Sequence, residues 1–314
     1  MIEAQQLVKR YDDFEAVRGV DLRVPPGELL ALLGPNGAGK TTTIRMISSI
    51  LRPTSGWVRV AGHDTVTEPH LVRREIGMLT EQPGLYERMT GMEYLHFYGR
   101  LYGLPTAVTE TRGRELFARF DMPDAHGRRL GEFSKGMKQK VGLMRAMLHD
   151  PAVLLLDEPT SAMDPHSAKL VRDAIAVLQA DKRSIILCTH NLAEAEQLAD
   201  RIAIIKAGQV VARGTAAQLK VQLLGEPLLE IQLDQPLPRP WAQEAELAEL
   251  VQIEAIQGDR LRFRTAVPQQ TNPQLIRLLT GWGFGIVTLT HVSQSLEEVY
   301  LNVVAPEPST NGHP

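Results

Sequence analysis

The chain has 314 residues, 43% of them hydrophobic and 23% charged, with a formal net charge of −3. That length suggests two domains, and without a Lys/Arg-rich block a nucleic-acid role gets no electrostatic support. A single cysteine, Cys188, excludes an intrachain disulfide or a cysteine metal site and suits a reducing compartment. No apolar run reaches the ~18 residues that would span a bilayer, and the opening MIEAQQLVKRYDDF lacks the apolar segment of a secretory signal.

Residues 2–34 alternate apolar and polar, as in Ile2, Ala4, Leu7 and then Val17, Val20, Leu22, Val24, an antiparallel strand pattern ended by Pro25-Pro26-Gly27. Leu29–Leu33 is continuously apolar, as in a buried parallel strand. It runs into GPNGAGKTT, which matches G-x-x-x-x-G-K-[ST] with Gly34, Gly39, Lys40 and Thr41 at the fixed positions. Glycines at this spacing curl the stretch Gly34, Pro35, Asn36, Gly37, Ala38, Gly39, Lys40, Thr41 and Thr42 so that its backbone N–H groups surround a phosphate. Proline, lacking an N–H, contributes only shape. Lys40 would reach the β- and γ-phosphates, and the Thr41 hydroxyl can ligate Mg²⁺. A helix opening at Thr42 would add its N-terminal dipole. A Gly-rich turn without a ligand needs neither the strand before nor the helix after, so the stretch predicts binding of a nucleoside triphosphate.

Short strands are expected around Trp57–Val60 and Ile76–Leu79. Helical periodicity runs from Thr90 to about Asp121, with Tyr94, Phe97, Tyr98, Leu101, Leu116, Phe117 and Phe120 as core positions. Beyond residue 134, helices and strands alternate: helix Lys135–His149, strand Val153–Leu156, helix Ser167–Ala180, strand Ile185–Cys188, helix Asn191–Leu198, and a hairpin Arg201–Val211 turning at Ala207-Gly208-Gln209. This is the order of a mainly parallel α/β sheet. Cys188, inside an apolar run, reads as a small buried hydrophobe. The strand ending at Asp157-Glu158 is the expected partner of the phosphate loop: Asp157 can hold Mg²⁺, and Glu158 can polarise the attacking water. Two surface acids after a buried strand are the bland alternative. Asp164-Pro165 reads as a helix cap followed by proline at the first helical position.

These motifs, with FSKGMKQK (Phe133–Lys140), resemble the ATP-binding-cassette (ABC) ATPases. The family's usual signature is L-S-G-G-Q; Ser134 and Gly136 are kept, while Lys135 and Met137 replace a glycine and the glutamine. The resemblance implies that Ser134 and Gly136 meet a γ-phosphate across a dimer interface. It further implies that Tyr11 stacks on adenine, that His190 is the switch histidine on the γ-phosphate, and that Asp164 orders the partner's site. At the family's glutamine loop the chain departs, with Glu81 favoured over Gln82; both can approach Mg²⁺ and the attacking water. The implied ligands are ATP and Mg²⁺. The implied metal set is Thr41, Glu81 and Asp157, and the implied catalytic set is Lys40, Glu81, Glu158 and His190.

The implied fold is α/β: a P-loop NTPase cassette over residues 1–225, with a parallel-sheet core, an antiparallel β subdomain and a helical subdomain at about 83–150. Beyond it, the pattern strand 228–233, helix 242–250, strands 251–256 and 260–265, helix 273–281, strand 284–290 and helix 295–303 suggests a β-α-β-β-α-β accessory domain over 226–304. There Trp241 and Trp282 are candidates for partner contact, and the carboxylates are expected on solvated edges. Residues 305–314 read as a disordered tail. The S-K-G-M-K-Q form, Gly84–Arg88 and Ser295–Tyr300 are similar to stand-alone ATPase subunits of bacterial drug-, polysaccharide- and lipid-exporters of the daunorubicin-resistance type. That resemblance implies a head-to-tail homodimer, a separate membrane permease, no nucleic acid, and a place on the cytoplasmic face of the plasma membrane. A soluble ABC ATPase acting on ribosomes or DNA is the alternative; one cassette, no heptad run and one cysteine weigh against it.

Overall fold

A computed structural model describes residues 1–161, 163–238, 244–292 and 295–304. The expected tail at 305–314, the start of the helix expected from 242, and Trp241 lie outside the described residues. Two compact units divide at Ala216.

In the first unit, β1 (Ile2–Tyr11), β2 (Phe14–Val24), β4 (Ser55–Val60) and β5 (His63–Asp64) form an antiparallel sheet in the order β2-β1-β4-β5. A second sheet contains β3 (Leu29–Leu33), β6 (Ile76–Leu79), β7 (Val153–Asp157), β8 (Ser184–Cys188), β9 (Arg201–Lys206) and β10 (Gln209–Gly214), in the order β10-β9-β3-β8-β7-β6. All its pairings are parallel except that of β10 with β9. That hairpin turns at Ala207 and Gly208, both at positive φ (49° and 82°), as a two-residue turn matched to strand twist requires.

The period of two along these strands builds two cores. Leu29, Leu154, Leu156, Ile185 and Leu187 pack on one side of the sheet, with α3 (Gly91–Leu101), α4 (Thr106–Arg119), α5 (Lys135–Met147) and α6 (Pro165–Ala180). Leu30, Leu32, Val153, Leu155, Ile186 and Cys188 face the other way, onto α1 (Lys40–Ile47) and the antiparallel sheet, with α2 (Pro69–Glu75) adding Val72. Each fully buried aliphatic side chain here contributes about 1.5–3 kcal/mol.

The helical stretch expected over 90–121 is two helices. Thr90 and Glu93 form a capping box at the start of α3, and Gly103 (φ 74°) with Pro105 separates α3 from α4. Tyr94, Leu116, Phe117 and Phe120 are core, but Leu101 is 66% exposed, a correction to its expected burial.

The second unit opens with α8 (Ala216–Leu224), after α7 (Leu192–Leu198) closes the sequence of helices in the first. It contains β11 (Leu228–Leu233), α9 (Glu244–Leu250), β12 (Gln252–Gln257), β13 (Arg260–Arg264), α10 (Pro268–Gly281), β14 (Ile286–His291) and α11 (Leu296–Val304). The antiparallel order β12-β13-β11-β14 is the split β-α-β arrangement. Helix α10 starts at Pro268 rather than at Pro273. Proline favours a first helical position, but here Pro268 already takes that place and Pro273 lies inside the helix. The expected apolar set, Leu229, Ile231, Leu233, Ile253, Leu261, Phe263, Leu275, Leu278, Leu279, Ile286 and Leu289, forms one core, and Trp282 packs against it.

Candidate functional site

The strand order decides what meets at the site. Neighbouring strands β3, β8, β7 and β6 end, in turn, in the Gly34–Lys40 loop, Thr189-His190, Asp157-Glu158 and Thr80-Glu81. Ligand sites of such sheets form outside the carboxyl ends of the strands.

The loop closes tightly on its surroundings. Gly34 (φ 156°) and Gly39 (φ 106°) come so near other backbone that an added Cβ would stand 2.2 Å from the Ile205 carbonyl oxygen and 2.5 Å from that of Ala16, respectively. At Gly39 the left-handed φ forbids a side chain independently. Helix α1 begins there with no side chain capping it and no acidic residue in its first turn, so its N-terminal dipole is left for an anion. Lys40 Nζ donates to the carbonyls of Gly34 (2.6 Å) and Pro35 (3.1 Å), which hold its charge over the loop. Ala38 and Gly39 are buried, Pro35 and Thr42 half-buried, and Asn36, Gly37 and Thr41 exposed. Thr43 turns inward and donates to the Gly39 carbonyl at 2.9 Å.

Opposite charge is concentrated at β7. Burial pushes the Asp157 carboxyl up to about 6, helped by the negative charges of Glu158 and then Glu81, with Lys40 and Arg45 opposing. Glu81 therefore lies within electrostatic reach of Asp157, whereas Gln82 is fixed locally, its carbonyl accepting from Thr80 Oγ1 at 2.7 Å. Glu158 has a left-handed backbone (φ 52°), and its N–H donates to the Cys188 carbonyl at 2.8 Å. Its Oε1 accepts from the His190 N–H at 2.9 Å and lies 2.8 Å from His190 Nδ1. Glu158's side chain is 15% exposed and His190's 77%, so the histidine projects from a covered carboxylate. Cys188 is fully buried and its thiol is pushed up by burial, as expected of a structural cysteine.

Among the described residues, the other site candidates form no hydrogen bond or ion pair with this group. Ser134 caps α5, accepting from the Met137 N–H at 3.3 Å, and Gly136 follows in an open first turn, where a Cβ would meet only Met163 Cγ at 3.8 Å. Among the described residues, no hydrogen bond joins Ser134 or Gly136 to the Gly34–Lys40 loop. Asp164 caps α6 through Ser167 (3.0 Å), which holds its carboxyl below the usual range. Tyr11 ends β1, 45% exposed, with Lys9 Nζ 5.1 Å from its ring centroid.

Two residues of the site were not singled out in the sequence. Gln139, buried on α5, donates from Nε2 to the Glu158 carbonyl at 3.1 Å. Glu194, buried on α7, accepts from Thr160 Oγ1 at 2.7 Å and Thr189 Oγ1 at 3.0 Å. Helical period could have flagged Gln139 as a buried amide on the inner face of its helix; nothing local in the sequence tells which carbonyl it meets.

A Gly-lined cradle, an uncapped helix N-terminus and a lysine beside a carboxylate pair define a nucleoside-triphosphatase. Residues 17–161 match the family described as ABC transporter. The chain is 42% identical over 249 residues to the daunorubicin/doxorubicin resistance ATP-binding protein DrrA of Streptomyces peucetius, covering 79% of this chain and 75% of that protein. It is 32% identical over 306 residues to the Nod factor export ATP-binding protein I of Paraburkholderia xenovorans, covering 98% and 97%. A solved ATP-binding subunit of an ABC transporter superposes with a TM-score of 0.68 at 33% identity, covering 72% of this chain and 94% of that one. The chain belongs to the ABC transporter ATP-binding family: it is the ATP-binding and ATP-hydrolysing subunit of a bacterial ABC transporter.

Proposed function

We propose that this chain hydrolyses ATP as a head-to-tail homodimer on the cytoplasmic face of the plasma membrane, driving export through a separate permease polypeptide. The single observation carrying the dimer is the separation within one chain of two phosphate-binding elements. Lys40 and its loop line one, while Ser134 stands exposed and Gly136 half-buried at the start of α5, with no hydrogen bond to that loop among the described residues. A second copy, turned about a two-fold axis, would complete both sites. Export rests on the relatives, of which one is named for drug resistance and another for Nod factor export.

Within each site, Lys40 and the N–H groups around Gly34–Thr42 would bind the triphosphate, and Tyr11 would stack on the base. Glu158 would take a proton from water, with His190 directed at the γ-phosphate. Ser134, Gly136 and Asp164 would act on the partner's nucleotide, and Gln82 would stand beside the loop carrying Glu81. The donor set fits Mg²⁺. Oxygen ligands are available from Thr41, Asp157 and Glu81, and burial, with the neighbouring charges of Glu158 and Glu81, raises the Asp157 carboxyl. Among the described residues no cluster of three His, Cys, Asp or Glu side chains could hold a metal alone. Mg²⁺ suits this, because it is commonly held by one or two carboxylates together with substrate phosphates. When bound, it neutralises charge developing on the phosphates. Residues 226–304 we assign to assembly of the dimer or permease rather than to chemistry; among the described residues no helix is long and apolar enough to cross a membrane.

Mixing Ser134→Arg with Lys40→Ala tests the reading. Neither variant alone should form an ATP-dependent dimer or turn ATP over, while the mixture regains one intact composite site and about half or less of the activity. Wild-type turnover by the Ser134→Arg homodimer would overturn the assignment in trans.

A further inference from the structure

Glu194 is 2% exposed, yet it carries a carboxylate. Burying such a group is costly unless it is well bonded. Burial raises its proton affinity, opposed by hydrogen bonds from Thr160 and Thr189 and by the charge of Arg172. The carboxylate is not needed to start its own helix. Asn191 caps α7, its Oδ1 accepting from the Glu194 N–H at 3.1 Å. What the carboxylate does instead is join two segments that are distant in sequence. Thr160 follows Glu158 after one proline, and Thr189 immediately precedes His190. Thr189 Oγ1 also accepts from the Asn191 N–H at 3.0 Å, which fixes the turn carrying His190.

We propose that Glu194 is a positioning residue for hydrolysis: through Thr160 and Thr189 it clamps the loop bearing Glu158 to the loop bearing His190, and so sets the contact between those two side chains. The proposal rests on the reading of Glu158 and His190 as the hydrolytic pair. An apolar side chain of similar volume would fill the same space without a buried charge, but it would leave both threonine hydroxyls without their Glu194 acceptor and the loops joined only by the Glu158 N–H to Cys188 bond and the Glu158–His190 contacts themselves. Misplacing a catalytic group by about 1 Å can cost on the order of 100-fold in rate.

The test uses the full chain and four measurements: ATP turnover, KM, affinity for a fluorescent ATP analogue, and thermal melting. Glu194→Met keeps the volume and removes both acceptors; kcat is expected to fall at least about tenfold, with nucleotide affinity within about twofold of the parent and cooperative melting retained. Glu194→Gln, which keeps an acceptor oxygen for one threonine and offers its amide to the other, should retain at least about a third of kcat. The Thr160→Val, Thr189→Val double variant should reproduce the loss, and it carries the test if Glu194→Met does not fold. Turnover within about twofold of the parent in Glu194→Met or in the double variant overturns the clamp, as does a parallel loss of turnover and nucleotide affinity. A parental turnover rate in Glu158→Gln would instead overturn the underlying assignment of the pair.

Discussion

The carboxylates around β7 in the first unit and those on the sheet of the second are treated in opposite ways. In the second, Glu230 receives Arg262 at 2.7 Å and Arg260 at 3.1 Å, and Glu254 receives Arg264 at 2.9 Å. Hydrogen bonds from the arginines, and then their charge, hold both carboxyls below the usual range. Asp234, Glu246, Glu249 and Glu254 are exposed, as expected of solvated edges, and Glu230 and Glu254 are also ion-paired, because alternate residues of β13 place Arg260, Arg262 and Arg264 on one face beside their acidic neighbours. Around β7 the reverse holds. Asp157 is half-buried next to the charges of Glu158 and Glu81, and its carboxyl rises. A fold that satisfies its acids internally asks nothing of a ligand, whereas one that crowds them beside an anion cradle requires a cation and a nucleotide to balance its charges.

The largest test of this contrast removes the carboxylate that contacts His190. Glu158→Gln keeps the shape and an acceptor for the His190 N–H but loses the base. Turnover should fall by about two orders of magnitude or more while ATP binding persists. With hydrolysis blocked, an ATP-bound dimer should accumulate and elute early in size exclusion. Near-parental turnover would show that the unbalanced charge at β7 serves binding alone.

A half-buried histidine sharpens the comparison by showing a shifted group that is no site. His149 stacks on Tyr102 at 3.7 Å, its Nε2 meets the Ile76 carbonyl at 3.1 Å, and its Nδ1 is buried without a partner. Burial lowers its pKa from 6.5 to about 4. The folded chain thus takes up this proton later than the unfolded chain does. Stability from this group is complete above pH 6.5 and is lost as pH falls towards 4, because the unfolded state binds the extra proton throughout that window. Between pH 7 and pH 5 the parent should lose roughly 1 to 2 kcal/mol more than His149→Gln, read from urea midpoints. Equal losses would remove His149 as the cause.

Much of the first unit is legible locally, since each strand that feeds the site is a short apolar run ending in its polar residues. Leu29–Leu33 leads into the glycine loop and Val153–Leu156 into Asp157-Glu158, so strand, turn and side chain are contiguous. Gln139 and Glu194 are invisible by the same route. Their partners lie at Glu158, Thr160 and Thr189, and only the order β3-β8-β7 brings those loops together. At the next loop the sequence favours Glu81 over Gln82 and leaves both as candidates; the Glu81 charge acts on Asp157, while the Gln82 backbone carbonyl accepts from Thr80. In the second unit the apolar core follows strand and helix periods, but the ion pairs depend on cross-strand register, with Glu230 opposite Arg262.

The smallest expected effect comes from that register. Glu230→Ala removes the acceptor for two arginines on a face where Glu230 itself is 16% exposed and its partners are about half exposed. Pairs of this kind are screened by water, and Arg260 and Arg262 can be solvated once released, so the loss should be about 1 kcal/mol or less. Melting should shift by a few degrees at most and less in high salt, since the lost attraction is electrostatic and open to solvent. Turnover and nucleotide affinity should not change, because these arginines neutralise no charge at β7. A Glu230→Ala variant with parental melting but reduced hydrolysis would break the comparison outright: it would mean that the paired acids of the second unit, and not only the unpaired ones of the first, act on the nucleotide.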